Sequence, residues 1–204
     1  MMLQARLFAV LTIVFATSAI ASAMMTTRSS APATEVPAVN SQRDTTIILL
    51  RHAEKLNDGS RDPALSELGT ARALALASAL EHAQVEHIYA TPFQRTRSTA
   101  QPLADAQNIT VQTLDIAGGL DAHSQRASDA VAQHSGSTIV IIGHSNTIPA
   151  LVKNFSNIDI GAMDEDAYGD LYILQLNSSD ATATLPPRLI VTTFGTDNPS
   201  ESRP

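Results

Sequence analysis

Cysteine and tryptophan are both missing from the 204 residues, and aromatic side chains make up only 4% of them. Without cysteine there can be no disulfide, no thiol nucleophile and no thiolate metal ligand. Burial alone must hold the fold. With few large rings, the core must come from Ala, Leu, Ile and Val, which an apolar share of 44% allows. Positive charge is also scarce: 13 Lys and Arg stand against 20 Asp and Glu, a formal net charge of -7. That balance argues against the broadly basic face of a non-specific nucleic-acid binder. It leaves room for a local cluster of Arg around an anionic ligand. No long apolar run is present either. The run near the start, Leu7 to Ala16, falls short of the ~20 residues a membrane span needs.

That early run has its own meaning. Arg6 precedes it, and Ala21-Ser22-Ala23 follows as a small-residue cleavage signal. The pattern predicts a secretory signal peptide over residues 1–23 and a periplasmic or secreted location. Nothing would stay inserted in a membrane after cleavage. Residues 24–44, with Pro32, Pro37 and many Ser, Thr and Ala, read as a flexible linker. The folded domain is expected over 45–195, with a tail at 196–204.

Within 45–195 the pattern alternates. Thr45 to Leu50 is a β-branched apolar run that predicts a buried strand. Ser66 offers an N-cap, and Ala71 to Leu80 predicts a helix. Strands are predicted at Val85 to Tyr89, Ile109 to Leu114 and Thr138 to Ile142. Helices are predicted at Thr96 to Ala106, where Pro102 would kink or shorten the helix, at Ser124 to His134, and from Thr147 to Lys153. Two late strands follow at Leu171 to Leu176 and Leu189 to Phe194. Strands alternating with helices predict an α/β protein with a mostly parallel sheet covered on both faces. In such sheets the site lies just past the carboxyl ends of the strands.

Those strand ends carry the chemistry. Arg51-His52-Ala53-Glu54-Lys55 follows the first strand, Ala90-Thr91-Pro92-Phe93-Gln94-Arg95 the second, Asp115 the third, and Gly143-His144-Ser145-Asn146-Thr147 the fourth. The remaining histidines, His82, His87, His123 and His134, are expected at the surface. The strand-end set suits phosphoryl transfer. A phosphate monoester is a near-dianion at neutral pH, and Arg holds it through a planar fork of donors. A neutral imidazole is a competent nucleophile near pH 7. A second His can donate to the phosphoryl oxygens, and a carboxylic acid can protonate the leaving group.

Three blocks resemble one family. LLRHAEK at 49–55, IYATPFQRTRSTA at 88–100 and VIIGHSNTIPALV at 140–152 are similar in order and spacing to the histidine phosphatase superfamily, in its phosphoglycerate-mutase-like branch. DPALSELGTARA at 62–73 looks like the segment between the first two blocks. The resemblance covers about residues 45–195. It implies a three-layer α/β/α sandwich, a small phosphorylated substrate, no cofactor and no metal. Carried over by position, His52 would be the nucleophile. Arg51 and Arg95 would clamp the phosphate, together with His144. The chain departs from the family at Ala53, where Gly is usual, and at Ala90-Thr91, where Ser-Ser is usual. It also lacks the insertion that often carries the acid. Asp115 is the best-placed substitute for that acid, with Glu54 and Asp121 as fallbacks. Lys55 could add positive charge near the phosphate.

Three other readings compete. Gly143-His144-Ser145-Asn146-Thr147 imitates a nucleophile elbow, but Thr147 replaces the final Gly and no triad His follows Ser145 at the right place. A phosphomutase would need extra elements to retain its product. A non-enzymatic phosphate-binding protein would keep the Arg residues but has no need of both His52 and His144.

Overall fold

In the computed structural model, which describes residues 43–177 and 187–195, the run TTIILLR forms strand β1 (Thr45–Arg51) in the interior of a six-stranded sheet. Helix α1 (Glu67–Ala79) follows, then β2 (His87–Ala90), α2 (Gln94–Gln107), β3 (Val111–Thr113), α3 (Gly119–Gln133), β4 (Thr138–Gly143), α4 (Thr147–Ser156), β5 (Asp170–Leu176) and β6 (Arg188–Thr193). The strand order is β3-β2-β4-β1-β5-β6. The first four of these pair in parallel, and β5 and β6 pair antiparallel at one edge. The described residues lie in one compact unit. The signal-peptide segment 1–23, the tail 196–204 and all of the linker but Arg43 and Asp44 lie outside the described residues.

The strand pattern explains the layers. Side chains alternate between faces along a strand. Ile47 and Leu49 of β1 join Ile139 and Ile141 of β4 under α3 and α4, against Ala127, Val131, Ile148, Leu151 and Val152. Ile48 and Leu50 join Val140, Ile142 and Ile88 under α1 and α2, against Leu76, Ala100, Leu103 and Ala104. Both faces of β1 and β4 are therefore buried, as a continuous apolar run requires. Small Ala side chains on α2 and α3 let these helices sit close to the sheet without large aromatics.

Local signals match the element ends. The Ser66 hydroxyl accepts the Gly69 N–H and caps α1. Asn108 and Asn157 end α2 and α4 in the left-handed region, which Asn tolerates better than most residues. Helix α2 runs through Pro102 without ending there. Gly69 lets α1 dock on the chain that follows β1, because a Cβ there would sit 2.0 Å from the Glu54 carbonyl oxygen.

One buried ion pair joins three parts of the chain. Glu54 accepts a bidentate pair of bonds from Arg72 of α1, with Nε at 2.9 Å from Oε2 and Nη2 at 2.6 Å from Oε1. Arg72 Nη1 also donates to the Phe194 carbonyl just past β6. The segment after β1 is thus fastened to α1 and to the sheet edge. Among the described residues no helix is long and apolar enough to cross a membrane.

Candidate active site

Register brings the strand-end motifs to one level. β1 lies between β4 and β5, and β4 lies between β1 and β2. Arg51 sits opposite Gly143, and Ala90 sits opposite Ile142. The ladder runs one step further, with His52 N–H donating to the Gly143 carbonyl at 3.0 Å. His52, Thr91 and His144 therefore leave three adjacent parallel strands at the same height. Here His52 and His144 border a cavity of about 290 Å³, whose lining also includes Arg51, Phe93, Arg95 and Glu165.

Each histidine is held in a defined tautomer. His52 Nδ1 lies 2.7 Å from the Ala53 carbonyl, which can only accept, so Nδ1 carries the proton. Nε2 then holds the lone pair, and it accepts from Arg95 Nε at 3.2 Å. For His144 the argument runs through two buried hydroxyls. Thr96 Oγ1 donates to backbone carbonyls of Thr91 or Phe93, so toward Thr91 Oγ1 it accepts, at 2.9 Å. With its own proton used there, Thr91 Oγ1 accepts from His144 Nε2 at 2.8 Å. His144 Nδ1 is left facing Arg95 Nη2 at 3.5 Å. The two imidazoles meet edge to face, with centroids 5.3 Å apart.

Burial keeps both rings neutral. It lowers the pKa of His52 from 6.5 to about 4, with the Arg51, Arg95 and Lys55 charges adding to the effect against the Ala53 hydrogen bond. Burial likewise lowers that of His144 from 6.5 to about 3, helped by His52 and Arg95. A neutral imidazole whose Nε2 lone pair is engaged only by the Arg95 N–H can attack an electrophilic phosphorus once that guanidinium turns to the phosphoryl oxygens. The same burial has a cost at acid pH. Below about pH 6.5 the unfolded chain binds protons on these rings that the folded chain refuses until about pH 4 and 3. Stability should therefore fall as the solution is acidified through that window, by about 1 kcal/mol for each ring per pH step. Thermal unfolding followed from neutral pH down to about pH 4 is expected to show the decline. A flat profile would contradict it.

Arg51 is buried and heavily engaged. Nη1 donates to the Asp164 carbonyl at 2.7 Å and the Ala167 carbonyl at 3.2 Å. Nη2 donates to Glu165 Oε2 at 3.1 Å. The guanidinium also stacks on Tyr168, 4.4 Å from its centroid. Its buried Nε–H has no partner among the described residues. Arg95 is braced from the other side, where Asp62 accepts from its Nη1 at 3.5 Å and also from the Gln94 N–H at the start of α2. Phe93 supports the same guanidinium at 4.4 Å.

Thus Arg51, His52, Arg95 and His144 converge, and Lys55 also borders the cavity. The three carboxylates expected as acids do not line it. Asp115 is exposed, with Oδ1 holding the Ala117 N–H at 3.0 Å. Asp121 borders a separate groove between α3 and α4. Glu54 is locked on Arg72. His123, expected at the surface, is fully buried on α3, and its Nδ1 donates to the Asp115 carbonyl. No sequence signal marks Asp62, Tyr168 or Glu165 as part of the site. Glu165 lies in Met163-Asp164-Glu165-Asp166, which on its own reads as a solvated acidic loop. Among the described residues no group of three or more His, Asp or Glu is placed to hold a metal.

Comparison with known proteins agrees with this architecture. The model of the histidine phosphatase superfamily, branch 1, matches residues 47–116. A stretch of 71 residues is 39% identical to phosphoserine phosphatase 1 of Hydrogenobacter thermophilus, covering 32% of this chain and 34% of that protein. The match thus spans about a third of the relative's length. A mycobacterial glucosyl-3-phosphoglycerate phosphatase superposes with a TM-score of 0.56 at 20% identity, over 74% of this chain and 99% of the other. The protein histidine phosphatase SixA, solved with tungstate, gives 0.57 at 15% identity, over 72% and 96%. Residues 47–116 thus match the histidine phosphatase superfamily, and the chain has the α/β fold of these solved structures.

Proposed function

We propose that this protein is a phosphoric monoester hydrolase that works through a phosphohistidine on His52. The observation that carries this reading is the His52 ring itself. It is neutral, its Nδ1 proton is tied to the Ala53 carbonyl, and its Nε2 lone pair accepts from Arg95 at the border of a cavity that Arg51 and His144 also line. The phosphoryl group of a small substrate would lie between these cations and His144. Nε2 attacks phosphorus in line, the N–P bond forms, and the ester P–O bond breaks. Water then cleaves the N–P bond and releases phosphate. Positioning and electrostatic stabilisation are the main contributions, as in other phosphoryl transfers. The matches to phosphatases named for phosphoserine, glucosyl-3-phosphoglycerate and protein histidine support the reaction class.

The test is hydrolysis of p-nitrophenyl phosphate by the full chain in the presence of EDTA, for wild type and His52→Ala, with acid or alkaline quenching to trap covalent phosphate. Base-stable, acid-labile label on His52 is the expected result. Turnover without label there, or turnover surviving in the variant, would overturn the mechanism. Phosphate binding without turnover would make the protein a non-catalytic binder. Export is part of the same reading, supported by Arg6, the apolar run Leu7 to Ala16 and Ala21-Ser22-Ala23. Fractionation should find the protein outside the cytoplasm with residues 1–23 removed, and a cytoplasmic, uncleaved chain would refute that part.

A further inference from the structure

Arg51 can offer a ligand only part of its guanidinium. Both contacts of Nη1 go to backbone carbonyls, Asp164 and Ala167, which cannot leave unless the whole loop moves. The remaining edge consists of the partnerless Nε–H and Nη2, and Nη2 is held by Glu165. An oxyanion binds a guanidinium best through two parallel N–H groups on one edge. A phosphoryl group that takes this edge must therefore compete with the Glu165 carboxylate. Glu165 is suited to yielding: its side chain is 82% exposed, whereas Arg51 is 2% exposed. It would not leave the cavity wall, because Oε1 accepts from Ser145 Oγ at 2.8 Å, one residue beyond His144.

Resting on the phosphatase reading above, we propose that the substrate's phosphoryl group displaces Glu165 from Arg51 and that the displaced carboxyl is the proton donor to the leaving oxygen. With these contacts made, the Ser145 hydrogen bond, and then the Arg51 charge, lower the pKa of Glu165 from its ordinary value. Exchanging that cation for a neighbouring phosphoryl anion removes the Arg51 contribution and adds a repulsion, which raises the carboxyl pKa and promotes proton uptake on Oε2 while the Ser145 bond to Oε1 remains. The proton is drawn from solvent on binding. As Nε2 of His52 bonds to phosphorus and the ester P–O bond breaks, the carboxyl proton passes to the departing oxygen. The carboxylate left behind then takes a proton from the water that cleaves the phosphohistidine. The other charged or titratable groups around the cavity are Lys55, His52, Arg95 and His144. On its own loop Glu165 is flanked by Asp164, Asp166 and Tyr168. It is the only carboxylate among the described residues lining this cavity.

The experiment compares wild type, Glu165→Gln and Asp166→Asn as full chains. Asp166 is an exposed neighbour, and its change removes the same charge. Inorganic phosphate is used as competitive inhibitor, with p-nitrophenyl phosphate and β-glycerol phosphate as esters with good and poor leaving groups. For Glu165→Gln the inhibition constant for phosphate should fall on the order of tenfold, as expected when an internal competitor loses its charge. Turnover of the alkyl ester should drop about 100-fold, the usual scale for a lost general acid, while the nitrophenyl ester changes only slightly. Asp166→Asn should leave all three quantities nearly unchanged. An unchanged or weaker phosphate affinity in Glu165→Gln would overturn the displacement. Equal losses on the two esters would overturn the donor role. If wild type binds phosphate but hydrolyses neither ester, the parent reading fails and the donor role with it, while phosphate affinity measured directly by calorimetry on wild type and Glu165→Gln still decides the displacement.

Discussion

His52→Ala is expected to lower p-nitrophenyl phosphate turnover by at least about 10,000-fold, the scale on which a covalent nucleophile is lost. The size follows from what the ring does in the site. Its Nε2 is the one neutral nitrogen lone pair that the structure aims at the Arg95 guanidinium with the opposite nitrogen tied to backbone. No neighbouring group can replace it. His144 is fixed by Thr91 through Nε2 with its Nδ1 turned to Arg95, too far round the site to take the place of the His52 ring, and Ser145 is held on Glu165. The fold should survive, because His52 contributes no ion pair and the surrounding strands are braced by apolar packing. Circular dichroism and phosphate binding on the variant distinguish lost chemistry from lost structure. A folded variant with turnover near wild type would remove His52 from the mechanism.

The second large effect concerns stability. Arg72→Met is expected to lower the unfolding free energy by about 3–5 kcal/mol, because it leaves a buried carboxylate without its cation. Glu54 and Arg72 side chains are only 11% and 5% exposed, and their contact is a short, bidentate one. Replacing both members by apolar residues of similar volume should recover much of that loss, since a buried pair and a packed apolar pair are often close in energy. Urea unfolding of the single and double variants measures both numbers. Glu54 lies two residues beyond His52, so the single variant should also lose turnover before it loses its fold. A loss well under about 1 kcal/mol would mean that water reaches Glu54 and that the pair does not anchor the segment.

Much of the fold was legible in the order of elements. The apolar β-branched runs at 45–50 and 138–142 became the paired interior strands β1 and β4. The capped helix after Ser66 formed as the local signal predicts. Less legible was the sheet edge. The late runs became antiparallel β5 and β6, and no periodicity distinguishes a parallel from an antiparallel partner. Helix α3 begins at Gly119, five residues before its predicted start, because the pair Gly118-Gly119 reads as a turn rather than as a helix start. His123 shows the same limit: one polar residue in a mixed helix looks exposed until the facing backbone of Asp115 supplies its partner.

The sequence by itself determined which chemistry could be present. Residue types at strand ends are local facts, and the rule that parallel strands open their sites at the carboxyl end turns Arg51, His52, Arg95 and His144 into one candidate set. Tertiary structure alone decided which carboxylate faces that set. Asp115 follows a strand and still lies outside the cavity lining, while Glu165, in an acidic loop with no motif, reaches Arg51 from 114 positions away. Side-chain direction and loop path have no period in the sequence. They follow from where the chain between α4 and β5 must cross the end of the sheet, and there the Arg51 guanidinium meets its carbonyls and its carboxylate.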